Sequence, residues 1–297
     1  MKTQNGYTLL ENAKDVKEWL NKQRVSRTIT RLQVHHMDMP SYSTWEKTDK
    51  KVFSEPHFGR TQSLSDYGKR TWGSGASDGH GHYIAQHFNV FPDGKITTGR
   101  NLNSKPIGIR GWDDYAICIE IYGCFDKGKD KMTATQKKAV IYLYGELCKR
   151  FNIPVNTTHI RPHCWFTVGG TYLGKYNSSR SAKTCPGTNF WGYGCSSDGF
   201  AHFIKDVKNY VNGKTTISTT PSTDDKKDTS TKVDKQVKII VDSLNVRKGP
   251  STSYDKVTSV KEGDVYTIVE EKNNWGRLKS GVGWISLSDK YVKEVKK

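Results

Sequence analysis

The stretch "ITRLQVHHMD" (residues 29–38) decides how the rest of the chain reads. Leu32 and Val34 alternate with Arg31 and Gln33, the period of a half-buried strand. Neighbouring side chains on a strand point to opposite faces. His36 therefore shares the Leu32/Val34 face, and His35 points the other way. With the apolar face packed on a core, His35 is the histidine left for a cleft. A strand-end histidine is either an ordinary packing residue or a chemically active one. The flanking sequence has to separate the two.

Working outward, "NAKDVKEWLNKQ" (12–23) reads as a helix with Val16, Trp19 and Leu20 on one face and Asn12 as its cap. Residues 38–82, rich in Gly, Ser and aromatics, read as long surface loops. "HYIAQHFNVFPDGKITTGR" (82–100) reads as a hairpin turned at Asp93-Gly94. "YAICIEIYG" (115–123) is a strand with Ile117, Ile119 and Ile121 on one face and Cys118, Glu120 and Tyr122 on the other. "TATQKKAVIYLYGELCKRF" (133–151) is an amphipathic helix capped by Thr133 or Thr135. A last helix fits "GFAHFIKDVKNYVNG" (199–213), ended by Gly213. Strands interleaved with helices predict an α/β domain, a mixed central sheet flanked by helices.

The composition breaks at 213–236, "GKTTISTTPSTDDKKDTSTKVDKQ", which has too few apolar side chains to offset the entropy of ordering. It reads as a flexible linker. It separates a domain over 1–212 from one over 237–297, where short alternating segments broken by Gly-Pro, Glu-Gly, Asn-Asn and Ser-Gly predict a small all-β barrel.

Of the 297 residues, 34% are hydrophobic, enough for a core, and 47 Lys and Arg against 30 Asp and Glu give +17. The first 212 residues carry +12 of that charge. Such a balance suits a polyanionic partner, either nucleic acid or an anionic cell wall. No recognisable nucleic-acid motif accompanies it, so nucleic acid is not expected as a partner. The six cysteines form no close CxxC pair, which argues against a zinc ribbon, and the chain is long for a disulfide framework. Cys118, Cys124 and Cys148 read as small buried hydrophobes, while Cys164 and Cys195 could pair without anything demanding it. The first 20 residues lack an apolar signal-peptide core, and no apolar run reaches the ~18 residues of a membrane span. The expectation is a protein made in the cytoplasm, without stable membrane insertion.

Two further segments bear on chemistry. "NTTHIRPHCW" (156–165) carries His159 and His163, and "AKTCPG" (182–187) carries Cys185. His35, His159 and Cys185 together offer two imidazoles and a thiolate, a set that suits Zn2+. Three protein ligands leave a fourth tetrahedral position for water, as catalytic zinc sites require. His163 is a rival second ligand, although Pro162 argues against a helical two-histidine motif. Glu120 is a lone carboxylate in an isoleucine-rich strand. Beside a metal it could take a proton from water; otherwise it is a paired or solvent-facing glutamate.

The set "LQVHH", "QHFNVFPDGKITTGR", "ICIEIYG", "THIRPH" and "KTCPG" resembles the type-2 N-acetylmuramoyl-L-alanine amidases, the zinc amidase family shared by phage lysins and peptidoglycan recognition proteins. The resemblance runs over residues 28–212 in the family's order. It implies zinc ligands at His35, His159 and Cys185, a catalytic glutamate at Glu120, and an oxyanion-stabilising lysine at Lys183. His36 follows as a structural neighbour. Where many relatives carry Tyr-His-Phe before the hairpin turn, this chain has Gln86, which cannot act as acid or base and shifts that role to Glu120. Gln86, His80 and His82 remain candidate substrate contacts, the two histidines in a Gly-rich loop near the groove. His57 and His202 read as surface or packing residues.

The segment "LNVRKGPSTSYDKV" with "GWI" near the end resembles the bacterial SH3-like (SH3b) domain, which binds cell-wall peptide or glycan. Tyr254 and Trp275 are its candidate wall contacts, and Trp284 reads as a core residue. The resemblance implies an endolysin that cleaves the amide between N-acetylmuramic acid and L-alanine in Gram-positive peptidoglycan. Anionic wall polymers would be a further partner, and a membrane pore would release the enzyme to the wall. The alternatives are a non-catalytic peptidoglycan-binding protein and a zinc endopeptidase acting within the stem peptide.

Overall fold

The computed structural model describes residues 1–214, 231–250, 254–272 and 274–295. The chain divides into two compact units, Met1–Pro221 and Ser222–Lys297. In the first, the strands are β1 (Lys2–Gln4), β2 (Tyr7–Leu10), β3 (Arg31–His36), β4 (Phe88–Val90), β5 (Ile96–Thr98), β6 (Ala116–Ile121) and β7 (Ile160–Pro162). Its longer helices are α1 (Ala13–Lys22), α2 (Pro56–Trp72), α3 (Ala134–Phe151) and α4 (Ser197–Val211). The sheet order is β1-β2-β5-β4-β6-β3-β7. β4, β6, β3 and β7 run parallel, and β1, β2 and β5 join as an antiparallel flank.

The two faces of the sheet follow the period of two. Leu32, Val34, Ile117, Ile119 and Ile121 pack with Val16 and Leu20 of α1, Leu143 and Leu147 of α3, and Phe203 and Val207 of α4. Asn12 caps α1 through the Asp15 N–H (3.0 Å), and Thr133 caps α3 through the Gln136 N–H (3.0 Å). The hairpin turns at Gly94, whose φ of +82° suits glycine. On the other face, Tyr7, Leu9 and Ile84 pack against Phe58 of α2, and the Thr61 and Thr97 hydroxyls meet at 2.7 Å.

Helix α2 corrects the expectation of loops over 38–82. Its buried face, Phe58, Thr61, Ser65 and Gly68, repeats at three- and four-residue spacing. Three of those residues are small or polar, so the helical period carries no apolar signal. Gly68 is required by close approach: a Cβ there would lie 2.0 Å from the Tyr83 carbonyl oxygen.

The second unit contains β8 (Thr231–Ile239), β9 (Ser243–Arg247), β10 (Lys256–Lys261), β11 (Val265–Lys272), β12 (Trp275–Leu278), β13 (Trp284–Ser286) and β14 (Val292–Val295). They form one antiparallel sheet in the order β10-β9-β13-β12-β11-β8-β14 around Val237, Ile239, Val246, Ile268 and Ile285. β8 opens inside the stretch read as linker, and residues 215–230 of that stretch lie outside the described residues. Pairing supplies what composition lacks: Val233 packs on the core, and Lys235 meets Glu271 and Glu294. Trp284 is not in the core. It is half-buried and pairs with Arg277 and Arg247, on the sheet face opposite buried Ile285.

Candidate active site

The site is built by strand register. β3 lies between β6 and β7, parallel to both. His35 sits opposite Glu120 of β6. Val34 sits opposite Pro162, so the residue after β7, His163, comes level with His35. The two imidazoles meet edge to face with centroids 4.9 Å apart. Cys185 reaches the same point from a later loop, held where the Cys164 N–H donates to its carbonyl (2.7 Å) and the His36 N–H to its sulfur (3.4 Å). Side-chain ligand atoms of His35, His163 and Cys185 all lie within 4.8 Å of one another. His35 Nδ1 is 3.6 Å from Cys185 Sγ and 3.8 Å from Glu120 Oε1.

His159 does not join them, which corrects the expected ligand set. It precedes β7 and sits four residues from His163, about 13 Å along a strand. Its Nδ1 pairs with Asn156 Oδ1 at 2.9 Å. Pro162 does exclude a helical pair of histidines. A strand, however, delivers His163 to the end of the sheet without one. His36 is structural, its Nδ1 accepting the Phe125 N–H at 3.1 Å.

Burial sets the electrostatics. It holds His35 well below its ordinary range, with His163 and Lys183 adding repulsion. It pushes His163 down to about 4. Burial and then Glu120 push the Cys185 thiol well up. Burial pushes Glu120 up to about 8, with Lys183 pulling the other way. Glu120 Oε2 is buried without a hydrogen-bond partner among the described residues. The cluster thus keeps two neutral imidazoles with open lone pairs, and its two acidic groups await a positive charge. Two nitrogens and one sulfur suit zinc, and a divalent cation would bring both acids back down.

A groove of about 1050 Å³ opens over this cluster. Its far wall, whose residues could not be picked out within 38–82 from local pattern, is one face of α2: Arg60, Ser63, Leu64, Tyr67 and Arg70, with Trp72 at the helix end. Tyr67 and Trp72 are 53% and 43% exposed, so the wall offers aromatic faces to a ligand. Lys183 lines the groove beside Cys185, and Gln86 lines it as a buried amide.

His80 and His82 are not groove residues. Asp78 gathers their loop, accepting the His80 N–H (2.8 Å) and the His82 N–H (3.0 Å), and His82 packs on Tyr7. In the second unit, Tyr254 is 44% exposed over Gly249, and half-buried Trp275 pairs with Ser286. Cross-strand pairing puts Trp275, Arg277 and Trp284 on one outward face.

Comparison with known proteins agrees with this architecture. The family described as N-acetylmuramoyl-L-alanine amidase matches residues 25–188, and the bacterial SH3 domain matches residues 242–293. No curated protein matches. Among solved structures, the chain is similar to the endolysin amidase LysCS from Clostridium intestinale URNW: 19% identity, 59% of this chain and 84% of that one covered, TM-score 0.37. For Drosophila PGRP-LB the identity is 16%, the coverage 57% and 84%, and the TM-score 0.37. For the endolysin of the Thermus scotoductus MAT2119 bacteriophage Ph2119 they are 20%, 59% and 91%, and 0.33. The family match spans more than half of the chain and does not depend on these distant neighbours. The chain belongs to the N-acetylmuramoyl-L-alanine amidase family and carries a bacterial SH3 domain C-terminal to the amidase-family region.

Proposed function

We propose that this protein is an endolysin that cleaves the amide between the lactyl group of N-acetylmuramic acid and L-alanine in Gram-positive peptidoglycan. The supporting observation is the convergence of His35, His163 and Cys185 beside Glu120, whose Oε2 is buried without a partner. His35, His163 and Cys185 would hold Zn2+. When bound, zinc supplies Lewis acidity to the scissile carbonyl and to an attacking water.

This chain's own residues do the rest. Glu120, as a carboxylate, takes the proton of the attacking water and returns it to the leaving nitrogen. Lys183, at the groove edge, offsets charge developing on the carbonyl oxygen. The α2 wall orients the substrate across the groove. The SH3 domain tethers the catalyst to the wall and raises its local concentration. The net charge of +17 favours walls bearing anionic polymers. Release to the wall would pass through a pore made by another protein.

The test is digestion of purified Gram-positive walls by the wild type and Glu120→Ala, with and without chelator, reading new N-termini. New N-terminal L-alanine that requires metal and Glu120 supports the amidase. Another new terminus would make the protein an endopeptidase, and wall binding without new termini would make it a recognition protein.

A further inference from the structure

Gln33 is fully buried on β3, on the same face as His35. A buried primary amide is costly unless its donors and acceptor are satisfied. Here they are. Gln33 Nε2 donates to the Trp112 carbonyl (3.2 Å) and to Asp113 Oδ1 (2.9 Å). Its Oε1 faces His35 Nε2 at 3.2 Å.

The orientation of this amide is dictated by its partners. Reversed, its oxygen would face a carbonyl and a carboxylate, neither of which can donate. Asp113 is itself anchored, since Oδ1 also accepts the Gly108 N–H (3.0 Å) and the Ile109 N–H (2.8 Å). Gly108 makes room for the arrangement: a Cβ there would lie 2.0 Å from Gln33 Oε1. With the amide oxygen fixed as an acceptor, His35 Nε2 must carry the proton. Nδ1 is then the bare nitrogen, and it is the one that faces Cys185 Sγ and Glu120.

We infer that Asp113 and Gln33 form a two-residue relay that fixes the tautomer and ring orientation of His35, presenting Nδ1 as a ready-made ligand atom. Both are positioning residues, because neither faces the groove chemistry except through His35. Partners of this kind tune ligand affinity typically 10–100-fold. The tautomer stands on the hydrogen bonds alone, and only its consequence for zinc rests on the proposed function.

The test uses the full-length chain with ¹⁵N-labelled histidine. In the metal-free wild type, NMR should find His35 protonated at Nε2 and bare at Nδ1. Gln33→Leu should give a mixture of tautomers, and zinc affinity, by competition with a chromophoric chelator, should fall about 10–100-fold. Asp113→Ala removes the acceptor that holds Gln33 Nε2 in place and should move both readouts the same way. A wild-type His35 protonated at Nδ1 overturns the relay, as does a folded Gln33→Leu with unaltered tautomer and affinity. The wild-type tautomer needs no variant, so it still decides if Gln33→Leu does not fold. If the wild type takes up no zinc, the metal reading fails while the tautomer still decides the relay.

Discussion

Acidification should loosen the sheet beneath the groove through one residue, His87. It stands between Gln86 and β4 and is almost entirely buried. Its Nδ1 accepts the Cys118 N–H at 3.0 Å, and its Nε2 donates to the Ser104 carbonyl at 3.0 Å. A proton on Nδ1 would break the first bond and put a cation 3.4 Å from the Arg27 guanidinium. Burial and then Arg27 accordingly push His87 down from 6.5 to about 3. Above pH 6.5 neither state binds this proton and the folded state bears no cost. As pH falls from 6.5 towards 3, the unfolded chain takes the proton and the folded one does not, so stability is lost. The slope is about 1.4 kcal/mol per pH unit, which makes the loss about 2 kcal/mol at pH 5.

His87→Asn keeps an acceptor for the Cys118 N–H but cannot charge. Its cost, from the lost Ser104 bond and lost volume, should be about 1–3 kcal/mol at pH 7.5. Urea unfolding of the full-length chains, in chelator, at pH 7.5 and pH 5 measures the difference. Other buried histidines, His35 and His163 among them, lose stability in the same direction and cancel between the two chains. The wild-type advantage should therefore shrink by about 2 kcal/mol at pH 5. An advantage that is the same at both pH values would refute the reasoning.

Three further outcomes follow from the geometry. His163→Ala should lose bound zinc and wall hydrolysis, whereas His159→Ala should retain both within about twofold, because register puts only His163 beside His35; metal analysis with a turbidity assay checks this. Gly68→Ala should destabilise the protein by about 1–3 kcal/mol, because the Tyr83 carbonyl occupies the space of the added methyl; thermal melting measures it. Trp284→Ala should weaken co-sedimentation with purified walls without unfolding the second unit, since the ring lies outside its core; circular dichroism alongside the binding assay separates the two effects.

Legibility in the sequence followed apolar periodicity. β3, β6, the hairpin and helices α1, α3 and α4 announce themselves because Leu, Val, Ile and Phe mark their buried faces. α2 does not, because Thr61, Ser65 and Gly68 are buried by shape and hydrogen bonding rather than by hydrophobicity. Gln33 reads as a polar alternate of a strand, yet it is sealed under a loop 75–80 residues away in sequence. His35, Cys185 and Glu120, singled out by residue type and motif, do meet at one point. That His163 rather than His159 meets them was not legible, because it depends on how two distant segments align, which no local pattern encodes. His80 and His82 misled because a glycine-rich loop looks open until Asp78 is seen gathering it.

The groove has two walls of unlike origin. The clustered side chains come from strand ends and the 163–185 segment, while the facing wall comes from one continuous excursion between β3 and β4. That excursion leaves just after His36 and returns before Gln86, anchored on β2 by Phe58 and on β5 by Thr61. The clustered side chains and the wall that faces them thus lie on separate stretches of chain. The 38–76 insert is therefore a separable cassette: exchanging it would reshape the far wall of the groove while His35, Glu120, His163 and Cys185 stay on the stretches that carry them.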